Sequence, residues 1–150
     1  MFIIAHTPGC RQKAAEIAAK LADTQLVDMQ DAIQDPQMLG DFDSIGLVYE
    51  QEGKAVPSCV VAFIREVLGS YDLSRLQYMF NVCVCEGSPF HSLKIVEKLC
   101  AKVGCAPSLS LTLKNGQDVS ELGKKITDGD ILLAKGSLGT MFFMLANRIR

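Results

Sequence analysis

Apolar runs and amphipathic stripes alternate along the chain. Phe2-Ile3-Ile4-Ala5 is a short apolar run, a turn follows through His6-Thr7-Pro8-Gly9-Cys10, and Ala14, Ile17, Ala18 and Leu21 then recur at helical spacing. Run, glycine-bearing turn and amphipathic stretch predict the opening βα unit of a parallel-sheet domain. Gln25-Leu26-Val27 predicts a second strand, and 28–40 a connection with a helical turn broken near Pro36. Ser44 to Tyr49 is apolar at nearly every position, the mark of a strand covered on both faces, and Asp41 and Asp43 before it signal a turn. A polar loop, Glu50 to Val56, leads to Pro57, which opens a helix carrying Val60, Val61, Phe63, Ile64, Val67 and Leu68 and stopped by Gly69.

The longest strand signal is Leu76 to Cys85. A second compact loop, Glu86-Gly87-Ser88-Pro89, precedes a helix with Leu93, Val96, Leu99, Cys100 and Val103 along one stripe and Gly104 at its close. From Pro107 to Leu113 the pattern alternates strictly, which predicts an edge strand with one wet face. Asn115-Gly116 turns the chain, and Asp118 with Glu121 resembles a capping pair for a helix holding Val119, Leu122 and Ile126. The segment 138–150 is apolar nearly all round, which admits burial in the fold or packing against another chain, a homodimer among the possibilities.

Strand and helix alternate, so right-handed crossovers with helices on both faces give an α/β fold, a doubly wound five-stranded parallel sheet, for which the common order is 2-1-3-4-5. The whole chain, 1–150, reads as a single domain. That order brings three loops to one edge of the sheet: His6 to Cys10, Glu50 to Val56, and Glu86 to Pro89. The first joins a strand's carboxyl end to a helix's amino end, where unpaired N–H groups and the helix dipole suit an anion, most often a phosphate. A plain connection between elements explains the same residues.

Composition narrows the function classes. Lys and Arg number 15 against 17 Asp and Glu, a net charge of −2, with no basic stripe for nucleic acid. No uninterrupted apolar stretch reaches the length of a membrane helix, and Phe2 to Ala5 is too short for a signal peptide's core, so a cytoplasmic location is expected. The six cysteines include no C-x-x-C pair, and reduced thiols are expected in that compartment.

Each candidate residue has two readings. Gly9 suits a phosphate or merely a tight turn. Arg11 is an anion fork or a solvated first-turn residue. His6 titrates beside a ligand or bonds a backbone carbonyl, the second being favoured. Cys10, at a helix start, is a low-pKa thiol if exposed and a small filler if not. A thiol or metal site from Cys10, Cys59, Cys85 and His6 matches no known ligand spacing. Glu50, Glu52 and Glu86 put negative charge around the crevice.

Several of these motifs together carry a resemblance: Gly9 followed by Lys13-Ala14-Ala15-Glu16-Ile17-Ala18; Phe42-Asp43-Ser44-Ile45-Gly46; Pro57; and Cys85-Glu86-Gly87-Ser88 with Leu93 and Glu97-Lys98-Leu99 beyond. Over Phe2 to Asn115 the chain resembles the flavodoxin-like family, especially its small single-domain bacterial members and the front half of some ferredoxin fusions. The resemblance implies an FMN-binding electron carrier that works with a redox partner protein, with no metal and no catalytic side chain. It implies a phosphate loop at His6, Thr7, Pro8, Gly9, Cys10 and Arg11. The flavin ring would lie between Glu50, Gln51 and Gly53 on one side and Cys85, Glu86, Gly87 and Ser88 on the other. The sequence departs from the family where its phosphate loop has three hydroxyls; His6, Pro8 and Arg11 stand there, and the second loop lacks a stacking aromatic, Tyr49 being the last strand residue. Those departures support the alternative, a flavodoxin-fold binding or assembly module that has lost the flavin.

Overall fold

β1 (Phe2–His6) is an inner strand of the sheet, with β2 (Thr24–Asp28) on one side and β3 (Ser44–Glu50) on the other. β4 (Tyr78–Cys85) and β5 (Leu109–Lys114) extend it beyond β3. All pairings are parallel and the order is β2-β1-β3-β4-β5, as the apolar pattern predicts. The computed structural model describes residues 2–52, 55–86, 90–114 and 117–128. The Asn115-Gly116 turn and the apolar segment 138–150 lie outside them.

Helices cover both faces, which is why the inner strands are apolar at consecutive positions. α2 (Met29–Gln34), α3 (Ser58–Ala62) and α4 (Phe90–Lys102) close one core, with Ala32, Val60, Phe63, Ile64, Val96 and Cys100 against Ile3, Ile45, Leu47, Met79 and Cys83. α1 (Arg11–Ala18) and α5, over 120–128, close the other, with Ala14, Ile17, Leu122 and Ile126 against Ile4, Val48, Phe80 and Val82. Tyr78 Oη donates to the Ile126 carbonyl at 3.0 Å and so ties α5 to the sheet. Tyr78→Phe is expected to cost about 1 kcal/mol, read as a lower urea midpoint at unchanged m.

Several boundaries differ from the sequence reading, each for a local reason. The 28–40 connection holds a true helix because the Asp28 carboxylate accepts from the Gln30 N–H at 2.8 Å. β4 starts at Tyr78, not Leu76, because Leu73–Arg75 forms a 3-10 turn and the Leu76 N–H closes onto the Leu73 carbonyl at 3.1 Å. β3 runs one residue past Tyr49 to Glu50. Pro57 is the N-cap of α3, not its first residue. That helix passes Gly69, through a π-helical stretch (Phe63–Val67) and a 3-10 turn (Leu68–Ser70), and the Ser70 hydroxyl binds the Glu66 and Val67 carbonyls at its end. β5 is an edge strand, but Ser110 on its polar face bonds to Asn81 of β4 and Glu97 of α4.

Tyr49 and Cys83 face each other across β3 and β4 in the first core. Burial pushes the Cys83 thiol from 9.0 up to about 12 and holds the Tyr49 phenol well above 10.0. Both stay neutral in the folded chain after they would ionise in the unfolded one. The unfolded chain then binds fewer protons, so stability falls as pH rises from about 9 towards about 12. A series of thermal melts should show that decline, and Cys83→Ala should make it shallower, leaving the part due to Tyr49.

Candidate functional site

The chain leaves β1 for α1 on one face of the sheet and leaves β3 for α3 on the other. That divergence opens a crevice at the strands' carboxyl ends, the switch point where α/β sheets bind ligands. A cleft of about 260 Å³ occupies it. Thr7, Pro8 and Gly9 line it from the loop after β1, Gln30 from α2, Glu50 and Glu52 from the end of β3, and Pro57, Ser58 and Cys59 from the start of α3. A larger hollow of about 450 Å³, lined by Gly40, Phe42, Tyr71 and Arg75 among others, lies at the opposite end of the sheet.

The loop after β1 is a 3-10 turn, Pro8–Cys10, that runs directly into α1. Its amides are largely committed. The Thr7 N–H donates to the Val48 carbonyl at 3.1 Å, the Cys10 N–H to the Thr7 carbonyl at 3.0 Å, and Pro8 has none. Thr7 is only 5 % exposed, and its buried hydroxyl has no hydrogen-bond partner among the described residues. Register completes the change. His6 pairs with Val48, so Glu50 projects past the end of β1 over this loop. Its carboxylate Oε2 lies 3.8 Å from where a Cβ on Gly9 would stand.

This donor set does not fit the phosphate of FMN. Among the described residues, no Lys or Arg lines the cleft, while Glu50 and Glu52 do. A carboxylate about 5 Å from a phosphate oxygen costs on the order of 3 kcal/mol per unit charge at an effective dielectric of about 20. The same field acts on the neighbouring thiols. Burial raises the Cys10 pKa and the Glu50 charge adds to it; burial raises Cys59, with Glu52 and Asp28 adding.

The predicted site residues therefore separate. Thr7, Pro8, Gly9 and Glu50 meet at the cleft. His6 is fully buried, and its Nδ1–H donates to the Thr7 carbonyl at 2.8 Å, the favoured bland reading. Cys10 is buried in the α1 core, outside the cleft lining, and burial raises its pKa, so the low-pKa thiol reading of it does not hold. Arg11 is exposed at the start of α1, away from the cleft lining. The Gln51 N–H is spent on the Val84 carbonyl at 3.0 Å, and Glu52 and Ala55 exchange paired backbone N–H···O bonds. Cys85 is in the α3 and α4 core and Glu86 is exposed. Gly53, Gly87 and Ser88 lie outside the described residues. Among the described residues, no His, Cys, Asp and Glu group of three or more is arranged to hold a metal ion. Gln30 and Ser58 are cleft residues that the sequence reading missed; Asp28 as an N-cap was the available signal for placing Gln30 on a helix at this edge.

No family model and no curated protein matches the chain. Solved structures do. Oxidised flavodoxin 1 from Bacillus cereus superposes with a TM-score of 0.63 at 18% identity, covering 89% of this chain and 96% of that one. A short-chain flavodoxin associated with a non-canonical PDU bacterial microcompartment gives 0.60 at 14% identity, over 89% and 97%. General stress protein 14 from Treponema denticola, in complex with FMN, gives 0.54 at 10% identity, over 89% and 95%. The chain thus has the flavodoxin-like fold over most of its length. Among the described residues, no helix is long and apolar enough to cross a membrane.

Proposed function

We propose that this chain is a flavodoxin-fold binding or assembly module that works without FMN. One observation carries the reading: the Glu50 carboxylate lies against Gly9, where the resemblance would seat a phosphate. The committed amides of Thr7 and Cys10 support it. The module's working surface on this reading is the loop edge at the β1–β3 crevice, facing a partner protein.

A second reading, an FMN electron carrier serving a redox partner protein, is favoured by the sheet order and by the crevice at its switch point. Purification separates the two. The module reading expects a colourless protein whose melting temperature does not move with added FMN, because a ligand stabilises only what it binds. A yellow preparation, or a melting temperature that climbs with FMN concentration, supports the carrier instead.

A further inference from the structure

α4 ends in a Schellman turn. The Cys105 N–H donates to the Cys100 carbonyl at 2.9 Å, the Gly104 N–H to the Ala101 carbonyl at 3.1 Å, and Gly104 takes a φ of +93°. This turn brings the residue after the glycine back onto the helix's last turn, so their side chains meet. Here both are cysteines, in one core cluster, with their thiols in hydrogen-bonding contact. Both are free thiols. Cys105 also borders a small cleft of about 170 Å³ between Leu76, Met79 and Ser108, at the amino ends of β4 and β5.

We propose that Cys100 and Cys105 are a redox-active dithiol that closes to a disulfide when a hydroperoxide reaches that cleft. Spacing and backbone geometry set the pair, and the electrostatics divide the roles. The Cys100 thiol donates to Cys105 and holds its pKa below the usual value, outweighing burial. The same hydrogen bond, burial and the Glu97 carboxylate keep Cys100 protonated. Cys105 thiolate attacks the peroxide: a sulfur–oxygen bond forms, the oxygen–oxygen bond breaks, and the departing oxygen takes a proton to leave as water or alcohol. Cys105 is now a sulfenic acid. Cys100 sulfur then attacks it; the sulfur–sulfur bond forms and hydroxide leaves with the Cys100 proton as water. The two thiols supply the two electrons that reduce the peroxide. A small external dithiol returns the disulfide to two thiols by exchange and is itself oxidised to a disulfide.

The test uses the reduced full chain, treated with hydrogen peroxide, unfolded in N-ethylmaleimide and digested with trypsin. Cleavage after Lys98, Lys102 and Lys114 puts the two cysteines on separate peptides, 99–102 and 103–114. The expected result is those two peptides joined, two hydrogens lighter than their sum and separated again by dithiothreitol, while Cys83 and Cys85 take up the alkylating agent. Cys100→Ser should leave Cys105 as a sulfenic acid that dimedone labels. Full alkylation of all six cysteines after peroxide, or a link between a different pair, overturns the proposal, and the wild-type readout needs no variant to fold.

Discussion

Gly46→Ala is expected to destabilise the chain by about 3 kcal/mol, read as a melting temperature roughly 10 °C lower. Gly46 sits in the middle of β3, paired with Phe80 of β4. The Phe80 ring lies across it, so an added Cβ would stand 2.1 Å from Cζ and 2.5 Å from both Cε atoms. No packed atoms approach that closely, and the ring cannot simply retreat. It is fully buried and packs on Phe2 and Tyr78 with centroids 6.1 Å from each. Glycine here is a packing requirement set by a neighbour and not by backbone conformation. The pair should therefore be non-additive: Gly46→Ala with Phe80→Leu should be more stable than the sum of the two single losses. Additive losses would mean that the ring is not the obstacle.

Ser110→Ala is expected to cost about 2 kcal/mol, measured as a shift in urea midpoint. Asn81 is fully buried in β4, its amide donates to Ser110 Oγ at 3.0 Å, and that hydroxyl donates to Glu97 Oε2 at 2.6 Å. Ser110 is thus the only bridge drawn between a buried amide and a carboxylate among these three groups. Glu97 is half-buried and can turn to water once the hydroxyl is gone; Asn81 cannot. Its Oδ1 already has no partner among the described residues, so the variant would leave the whole amide orphaned. Removing both ends tests this. Asn81→Leu with Ser110→Ala should recover part of the loss, because no buried polar group is then left unpaired.

Much of the fold was legible because it depends on period and punctuation. Consecutive apolar residues in 44–49 marked a strand covered on both faces, 76–85 carried the longest strand signal, and alternation in 107–113 marked an edge. Local side-chain bonds were harder to read. Asp28 capping Gln30 turned an apparent connection into α2, and Ser70 carried α3 past its glycine. The site was legible in place but not in chemistry. Sequence order predicted which loops meet at the switch point, and Thr7, Pro8 and Gly9 do line it. It did not predict that Glu50 would reach Gly9, because that follows from strand register, a long-range property. Nor did it show that the turn would spend its own amides, or that the close pair of thiols would be Cys100 and Cys105 at a helix end.

The central claim concerns an oxyanion at Gly9, and flavin fluorescence tests it most directly. FMN and riboflavin differ only in the phosphate, so titrating each with the purified chain isolates that group. The account predicts no saturable quenching of either, corresponding to a Kd weaker than about 1 mM, and no preference for FMN. Saturable quenching with FMN bound more tightly than riboflavin would contradict it.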